Sequence, residues 1–511
     1  MLNSKKIRRK KMTSAYESLN EILEKSVRAS AVFSQLDQEH TDRITRAVYK
    51  AAMDNRVKLA KMAKEETGMG KWEDKVLKNV IASQMTYEDI KSTKTVGIIS
   101  RDEKNGIIEI AQPMGPVLAI TPFTNPTSTV IFDILICLKT RNPIVITPHE
   151  KAAKCSIEAA RICYEAALAE DAPEDCIQWV EYSSRKLTPE MMSASISLER
   201  LSEEAYSRIQ LFRTLVSNRR FALILVAAGS DVIQAAQSSG NPTLGASTGN
   251  APVFIERTAD IPFAINQILI SRTFDYGTSW SGEQAVVVEK AVAGEIMEEF
   301  KKKKGYFMTG EEVGLLEKIV LDKETGKISM DIIGKPAFQI AGMAGFEVPE
   351  DTAVLIAPQD GIGDDYPLSG EIIAPILTFH VADDFQQAIN ACIEVNFSGG
   401  VGHTAGIFSN DEEKIKEFSL VMNAGRILVN MPSTQGALGG IYNTLHPSMM
   451  LGCGAAGKNI TTDNITVSNL LNIQRITLRR LNERYMRFNK EKYLDESINA
   501  VTIEKEYNQN Y

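Results

Sequence analysis

The sequence predicts an α/β fold in which a doubly wound, Rossmann-type nucleotide-binding domain is followed by a second α/β domain. Three observations carry this. From Gly115 onward, short β-rich apolar runs alternate with helical ones, the rhythm of a parallel sheet with crossover helices. The unit returns at FALILV (221–226), followed by the helical DVIQAAQSSG. It returns again from about Ala251, where PVFIE, the helical DIPFAINQILISRTF and AVVVEK follow one another.

In chain order, the opening reads as helical. Leu19, Ile22, Leu23, Val27 and Ala31 recur at helical spacing, and one helical stretch is expected from Asp42 to about Glu66, closed by Thr67-Gly68-Met69-Gly70. Next come VLAIT (117–121), a helix over about 127–139, PIVIT (143–147), a helix from about Ala152 to Leu168, and CIQWV (176–180). That β-α-β-α-β order is the doubly wound pattern. Residues 181–206 are rich in serine and glutamate, fit neither period, and read as an excursion on the surface. The second α/β region runs through the lysine-rich Lys301–Lys304 helix to about Leu428, and the stretch from Asn482 to Tyr511 reads as a polar, loosely held tail.

Composition narrows the function. A chain of 511 residues, 44% hydrophobic and 24% charged, can bury more than one core. Its net charge of −8 gives no general reason to bind nucleic acid or an anionic membrane. The six cysteines form no CxxC pair and no Cys/His metal spacing, so reduced thiols and no metal site are expected. There is no apolar run of about 18 residues and no apolar core of a secretory signal, so a cytoplasmic protein is expected. The basic run Lys5 to Lys11 reads as a solvated disordered end, and Met12 stands as a second candidate start.

Several long blocks carry more than a fold. They are LAKMAKEETGMGKWEDKVLKN (59–79), GPVLAITPFTNPTSTVIF from Gly115, LKTRNPIVITPHEKA, GNAPVFIE with the TADI at 258–261, GGVGHTAGIF (399–408) and HPSMMLGCG (446–454). Over about residues 13 to 485 the chain resembles the CoA-acylating aldehyde dehydrogenases, most of all the acetaldehyde dehydrogenase half of bifunctional aldehyde-alcohol dehydrogenases. It shows no counterpart of their iron-dependent alcohol dehydrogenase half, so a stand-alone relative is expected. The resemblance implies a nucleotide-binding-type domain at 13–250 and 429–455 with a surface insertion at 181–206. It further implies a catalytic-type domain at 251–428 and an oligomerisation strand region at 456–485, between a basic leader at 1–12 and a polar tail at 486–511.

The reaction implied is aldehyde, CoA and NAD going to acyl-CoA and NADH, through a cysteine thiolate, an oxyanion site and a hydride acceptor. Asn125 in TNPTS matches the oxyanion asparagine; alone, it would read as a turn residue before Pro126. Glu371 in GEIIAP matches the glutamate near the nicotinamide ribose, and His149 in TPHE a residue on the adenosine side. A solvated glutamate and a satisfied loop histidine are the bland alternatives. His403 reads as scaffold near the substrate channel. Cys453 lies far in sequence from the nucleophile position.

Two places depart from the family pattern. In FDYGTSWSGEQ, Phe274, Asp275, Gly277, Glu283 and Gln284 keep the catalytic register without a gap, and Trp280 occupies the cysteine position. Indole is no nucleophile near neutral pH, and its bulk fills the space of an aldehyde. Ser279 and Ser281 flank it with no histidine nearby in sequence, and on an extended segment neighbours point to opposite sides. After FALILV, the family's glycine-rich turn is replaced by Ala227-Ala228-Gly229-Ser230-Asp231. Gly229 is the remaining cofactor-side glycine. Asp231 either meets an approaching phosphate or simply caps the helix. Ser247 and Thr248 in GASTGN add mild support. The expectation is a scaffold that has lost attack and firm nucleotide binding, with NAD and CoA the cofactors that the resemblance implies, assembling as a homo-oligomer or with an active homologue through TVSNLLNIQRITL (466–478). An active oxidoreductase with a displaced nucleophile or altered substrate is the alternative.

Overall fold

The computed structural model describes residues 20–180, 218–246, 248–322 and 326–509. The expected leader at 1–12, the insertion at 181–206 and Ser247 lie outside the described residues.

The opening is helical, but the stretch expected to be one helix is two, Gln38–Asp54 and Arg56–Thr67. Asn55 separates them with φ −97° and ψ 5°, its Nδ2 donating to the Ala51 carbonyl at 2.9 Å. This local bond offers the backbone an exit from the helix. Gly68, left-handed at φ +69°, ends the second helix. A helix at Trp72–Val80 follows, then a hairpin of β1 (Gly97–Asp102) and β2 (Ile107–Pro113).

The first large sheet contains β3 (Val117–Ile120), β4 (Ile144–Thr147), β5 (Ile177–Trp179), β6 (Leu223–Ala227) and β7 (Thr243–Ala246). Its order is β5-β4-β3-β6-β7 and every pairing is parallel. Helices cover both faces, which is why β3, β4 and β6 are buried along their whole length and read as unbroken apolar runs. The chain winds outward from β3 to β5, returns, and lays β6 on the other side of β3. The winding therefore reverses between β3 and β6, and a crevice opens beyond their carboxyl ends, where ligands of such sheets bind.

Every residue of the helix Pro126–Lys139 beneath this sheet is buried. Lys139 satisfies its charge by reaching the Asp42 carboxylate. Asp133 does not: neither carboxyl oxygen has a partner, and burial pushes its pKa well above the ordinary value.

The second sheet is parallel throughout, with strands β8 (Ala251–Ile255), β9 (Glu283–Glu289), β10 (Gly305–Phe307), β11 (Val354–Pro358), β12 (Ile376–Ala382), β13 (Gly402–Phe408) and β14 (Ala424–Val429). Its order is β10-β11-β12-β9-β8-β13-β14. The chain then returns, and β15 (Leu471–Thr477), inside the segment expected to form a strand, pairs antiparallel with β2. The resulting sheet is mostly exposed, with Ile98 and Ile476 open to solvent. The final stretch is more ordered than the loosely held tail expected. Helices at Glu483–Arg487 and Ala500–Gln509 flank Phe488, which is 3% exposed and packs on Tyr493 at 4.3 Å and Tyr507 at 6.3 Å. A few aromatics give this polar stretch a core of its own.

Candidate active site

A pocket opens at the point where the winding reverses. Pro122 and Asn125 after β3, and Ala227 at the end of β6, line it together with Lys78, Trp280 and His403. Residues from both lobes thus meet at the carboxyl ends of β3 and β6.

Asn125 sits at the cap position of Pro126–Lys139, yet its side chain makes no capping bond. Lys78 Nζ instead donates to Asn125 Oδ1 at 2.6 Å, to Asp275 Oδ2 at 2.6 Å and to Thr278 Oγ1 at 2.9 Å. Lys75, one helical turn away on the same face, donates to Asp275 Oδ2 at 2.9 Å and to the Thr124 carbonyl at 3.0 Å. Asp275 is fully buried and also accepts from the Lys71 N–H at 2.7 Å and Thr278 Oγ1 at 2.7 Å. Burial works to raise its pKa, but the two ammonium groups outweigh that and hold it below the usual range. Burial likewise pulls Lys78 down to about 8 against the attraction of Asp275. Asp275 and Tyr276 both stand at φ +51°. Gly70 makes room for the pair, since a Cβ there would lie 1.8 Å from Asp275 Oδ1.

This network delivers the segment carrying Trp280. Residues 280–282 turn rather than run extended, which corrects the expectation that Ser279 and Ser281 point to the side opposite Trp280: all three line the pocket. The two serine hydroxyls lie 3.3 Å apart. The half-buried Trp280 packs against the core under the first sheet and against Met69, Ile333 and Ile373 from the other side. Gly249 passes so close that a Cβ there would be 2.1 Å from the Trp280 carbonyl and 3.4 Å from the His403 ring.

Glu371 is drawn into the same place. Its Oε1 accepts the Gly249 N–H at 2.9 Å, and burial raises its carboxyl to about 7 although Gly249 and Arg272 oppose it. It is no solvated face residue. His403 is buried, with Nδ1 2.9 Å from Thr404 Oγ1, and burial with Arg426 lowers its pKa to about 3. The neutral ring is a wall of the pocket. Cys453 is buried elsewhere, its Sγ 3.6 Å from the Leu451 carbonyl.

The cofactor-side residues lie on the rim, outside the pocket lining. Gly229 is the cap residue of Ser230–Gln237, with no side-chain cap bond, and a Cβ on it would meet nothing within 4 Å. Asp231 therefore does not cap the helix. It stands in the first turn and forms an ion pair with Lys327 of the other lobe. His149, after β4, packs on Phe123 at 4.7 Å, and its Nδ1 accepts the Lys151 N–H at 3.2 Å. A dinucleotide fits here in part: there is open space at a helix N-terminus, but a carboxylate stands in the first turn where glycines would expose bare N–H groups.

Lys75 and Lys78 escape a reading by sequence, because their shared partner Asp275 lies 200 and 197 residues away. The one available signal was two lysines three apart in a block, WEDKVLKN, already matched to the family.

A two-lobed parallel α/β chain, with a crevice at its winding reversal and the Trp280 turn reaching into it, defines a dehydrogenase-type protein. The aldehyde dehydrogenase family model matches residues 4–196. The chain is 37% identical over 465 residues to the bifunctional aldehyde-alcohol dehydrogenase AdhE of Escherichia coli K12, covering 90% of this chain and 49% of that protein. It thus spans about half the length of these curated relatives. It is 32% identical to the succinate-semialdehyde dehydrogenase (acetylating) of Clostridium kluyveri, covering 90% of this chain and 95% of that one. An acetylating aldehyde dehydrogenase from Geobacillus thermoglucosidasius superposes with a TM-score of 0.84 at 38% identity, covering 92% of this chain and 98% of the other. The chain belongs to the acylating aldehyde dehydrogenase family.

Proposed function

We propose that this protein is a member of that family that no longer turns over aldehyde, CoA and NAD, and that serves as an assembling scaffold. The observation that carries the reading is Trp280: an indole, wedged between two apolar clusters, stands in the register of the nucleophile. The residues beside it that match the family's site remain connected, Asn125 to Lys78 and the turn over Gly249, which supports the reading of a kept scaffold. The Asp231–Lys327 ion pair at the cofactor-side helix supports weakened NAD binding as a second loss. The exposed sheet of β1, β2 and β15 supports assembly with itself or with an active homologue. The test is NADH formation by purified protein from an aldehyde and CoA, beside Trp280→Cys. Silence in the native protein and activity in the variant is expected; ordinary turnover by the native protein would end the reading.

A second reading keeps catalysis with a displaced nucleophile. Ser279 and Ser281 favour it, since both hydroxyls line the pocket that His403 walls. Incubation with acyl-CoA followed by mass spectrometry decides: an acyl serine supports it, and the absence of any adduct on Ser279, Ser281 or Cys453 rejects it.

A further inference from the structure

We propose that the pocket beside Trp280 binds a short-chain carboxylate, held by the Asn125 amide and the Ser279 and Ser281 hydroxyls above the buried Lys75–Lys78 pair. This rests on the reading that Trp280 has removed the nucleophile; the indole packs into two apolar clusters and leaves the pocket beside it open, not filled as expected from its bulk, so the site can hold a ligand without attacking it.

The argument is one of donor balance. Among the described residues, no acidic side chain lines the pocket, whereas Asn125, Ser279 and Ser281 carry donors, and Lys78, whose three N–H groups are taken by Asn125, Asp275 and Thr278, contributes its charge. Below them two ammonium groups share the single carboxylate of Asp275. Asp74 also faces this cluster, accepting the Asp275 N–H at 2.7 Å. Lys71 stands nearby, over the Tyr276 ring at 4.6 Å. Glu371, the acid beside the turn, is occupied by the Gly249 N–H. Lys71, Glu73 and Asp74 reach solvent, but of the cluster's buried charges Lys75 and Lys78 stand against Asp275 alone, one formal positive charge in excess in surroundings that screen it poorly. An aldehyde offers one neutral oxygen to such a site. A carboxylate offers two charged oxygens, to which each donor bonds more strongly. Trp280, Met449 and Leu451 supply an apolar wall for the alkyl end.

The experiment titrates the full chain with acetate, propionate and butyrate at fixed ionic strength, following tryptophan emission and thermal unfolding. The matching primary amides serve as neutral isosteres. The expected result is saturable binding of at least one carboxylate, at least tenfold tighter than its amide, and weakened about tenfold or more in Asn125→Ala and in Ser281→Ala. Lys78→Arg, which keeps the charge, retains binding. Lys78→Met loses it, provided circular dichroism reports a folded chain; if that variant does not fold, the Asn125 and Ser281 variants decide. Equal binding of amide and carboxylate, no saturable response, or a response unchanged in Asn125→Ala would overturn the proposal. Aldehyde turnover in the same preparation would instead overturn the reading on which it rests, so the two failures are distinct.

Discussion

Lys78 Nζ donates to Asn125 Oδ1 at 2.6 Å, and this bond decides which way the amide faces. An ammonium group can only donate, so the side-chain oxygen must be the end turned towards it. The nitrogen is left with a long contact of 3.3 Å to Thr124 Oγ1 and a second N–H to spare. The lysine thus orients the group matched to the oxyanion donor. In a Trp280→Cys background, Lys78→Met should lower kcat about ten- to a hundredfold with a smaller effect on KM, and Lys78→Arg should lose less. Steady-state kinetics of the three proteins checks this; equal kcat values would refute it.

The unpaired carboxyl of Asp133 makes a prediction about pH. Its native pKa is raised by burial, so above about pH 4 the unfolded chain releases a proton that the folded one keeps. Folding stability from this group is therefore lost as pH rises, by up to about 1.4 kcal/mol per unit until the native pKa is reached. Asp133→Asn removes the ionisation. Urea unfolding should find the variant's advantage over the native protein growing from pH 5 to pH 7; a constant difference would count against it.

Two glycines with nearly the same backbone separate conformational from steric demand. Gly68 at φ +69° has nothing within 4 Å of a Cβ, whereas at Gly70, φ +71°, a Cβ would strike the Asp275 carboxylate. Gly68→Ala should cost about 1 kcal/mol. Gly70→Ala should cost several, because it pushes a buried anion off two lysines. Parallel denaturation curves test the ranking.

At the rim, Asp231→Gly should tighten NAD binding in calorimetry by removing a carboxylate from the first turn of Ser230–Gln237. Its effect on stability should stay within about 1 kcal/mol, since the ion pair with Lys327 is partly exposed. Unchanged or weaker binding would mean that Asp231 is not what hinders the cofactor.

Ile476, exposed on β15, tests the assembly surface. Ile476→Lys should shift the protein to a smaller species in size-exclusion chromatography with light scattering. An unchanged mass would direct attention away from this sheet.

The sheets were legible in the sequence because their strands are buried on both faces and so read as short runs of Val, Ile and Leu, as in IVIT of β4. The β1–β2 hairpin was not read there, since its residues are largely half-exposed and alternate weakly. The break at Asn55 was missed because a single side-chain bond outweighs an otherwise continuous helical pattern. At the site, Trp280 and Asn125 could be located by register alone. What holds them could not, because Lys78 meets Asp275 across 197 residues and Glu371 meets Gly249 across 122. Such contacts leave no local period in the chain.

The turn of residues 280–282 keeps its supports, Gly249 beneath it and the Asp275 network ahead of it. Tryptophan is encoded by UGG, and cysteine by UGU and UGC. On the proposed reading, a thiol at position 280 is therefore one third-position base change away, in a chain that keeps the turn braced. On the scale of mutation, the step is shallow: a single base separates the two side chains that the Trp280→Cys experiment compares.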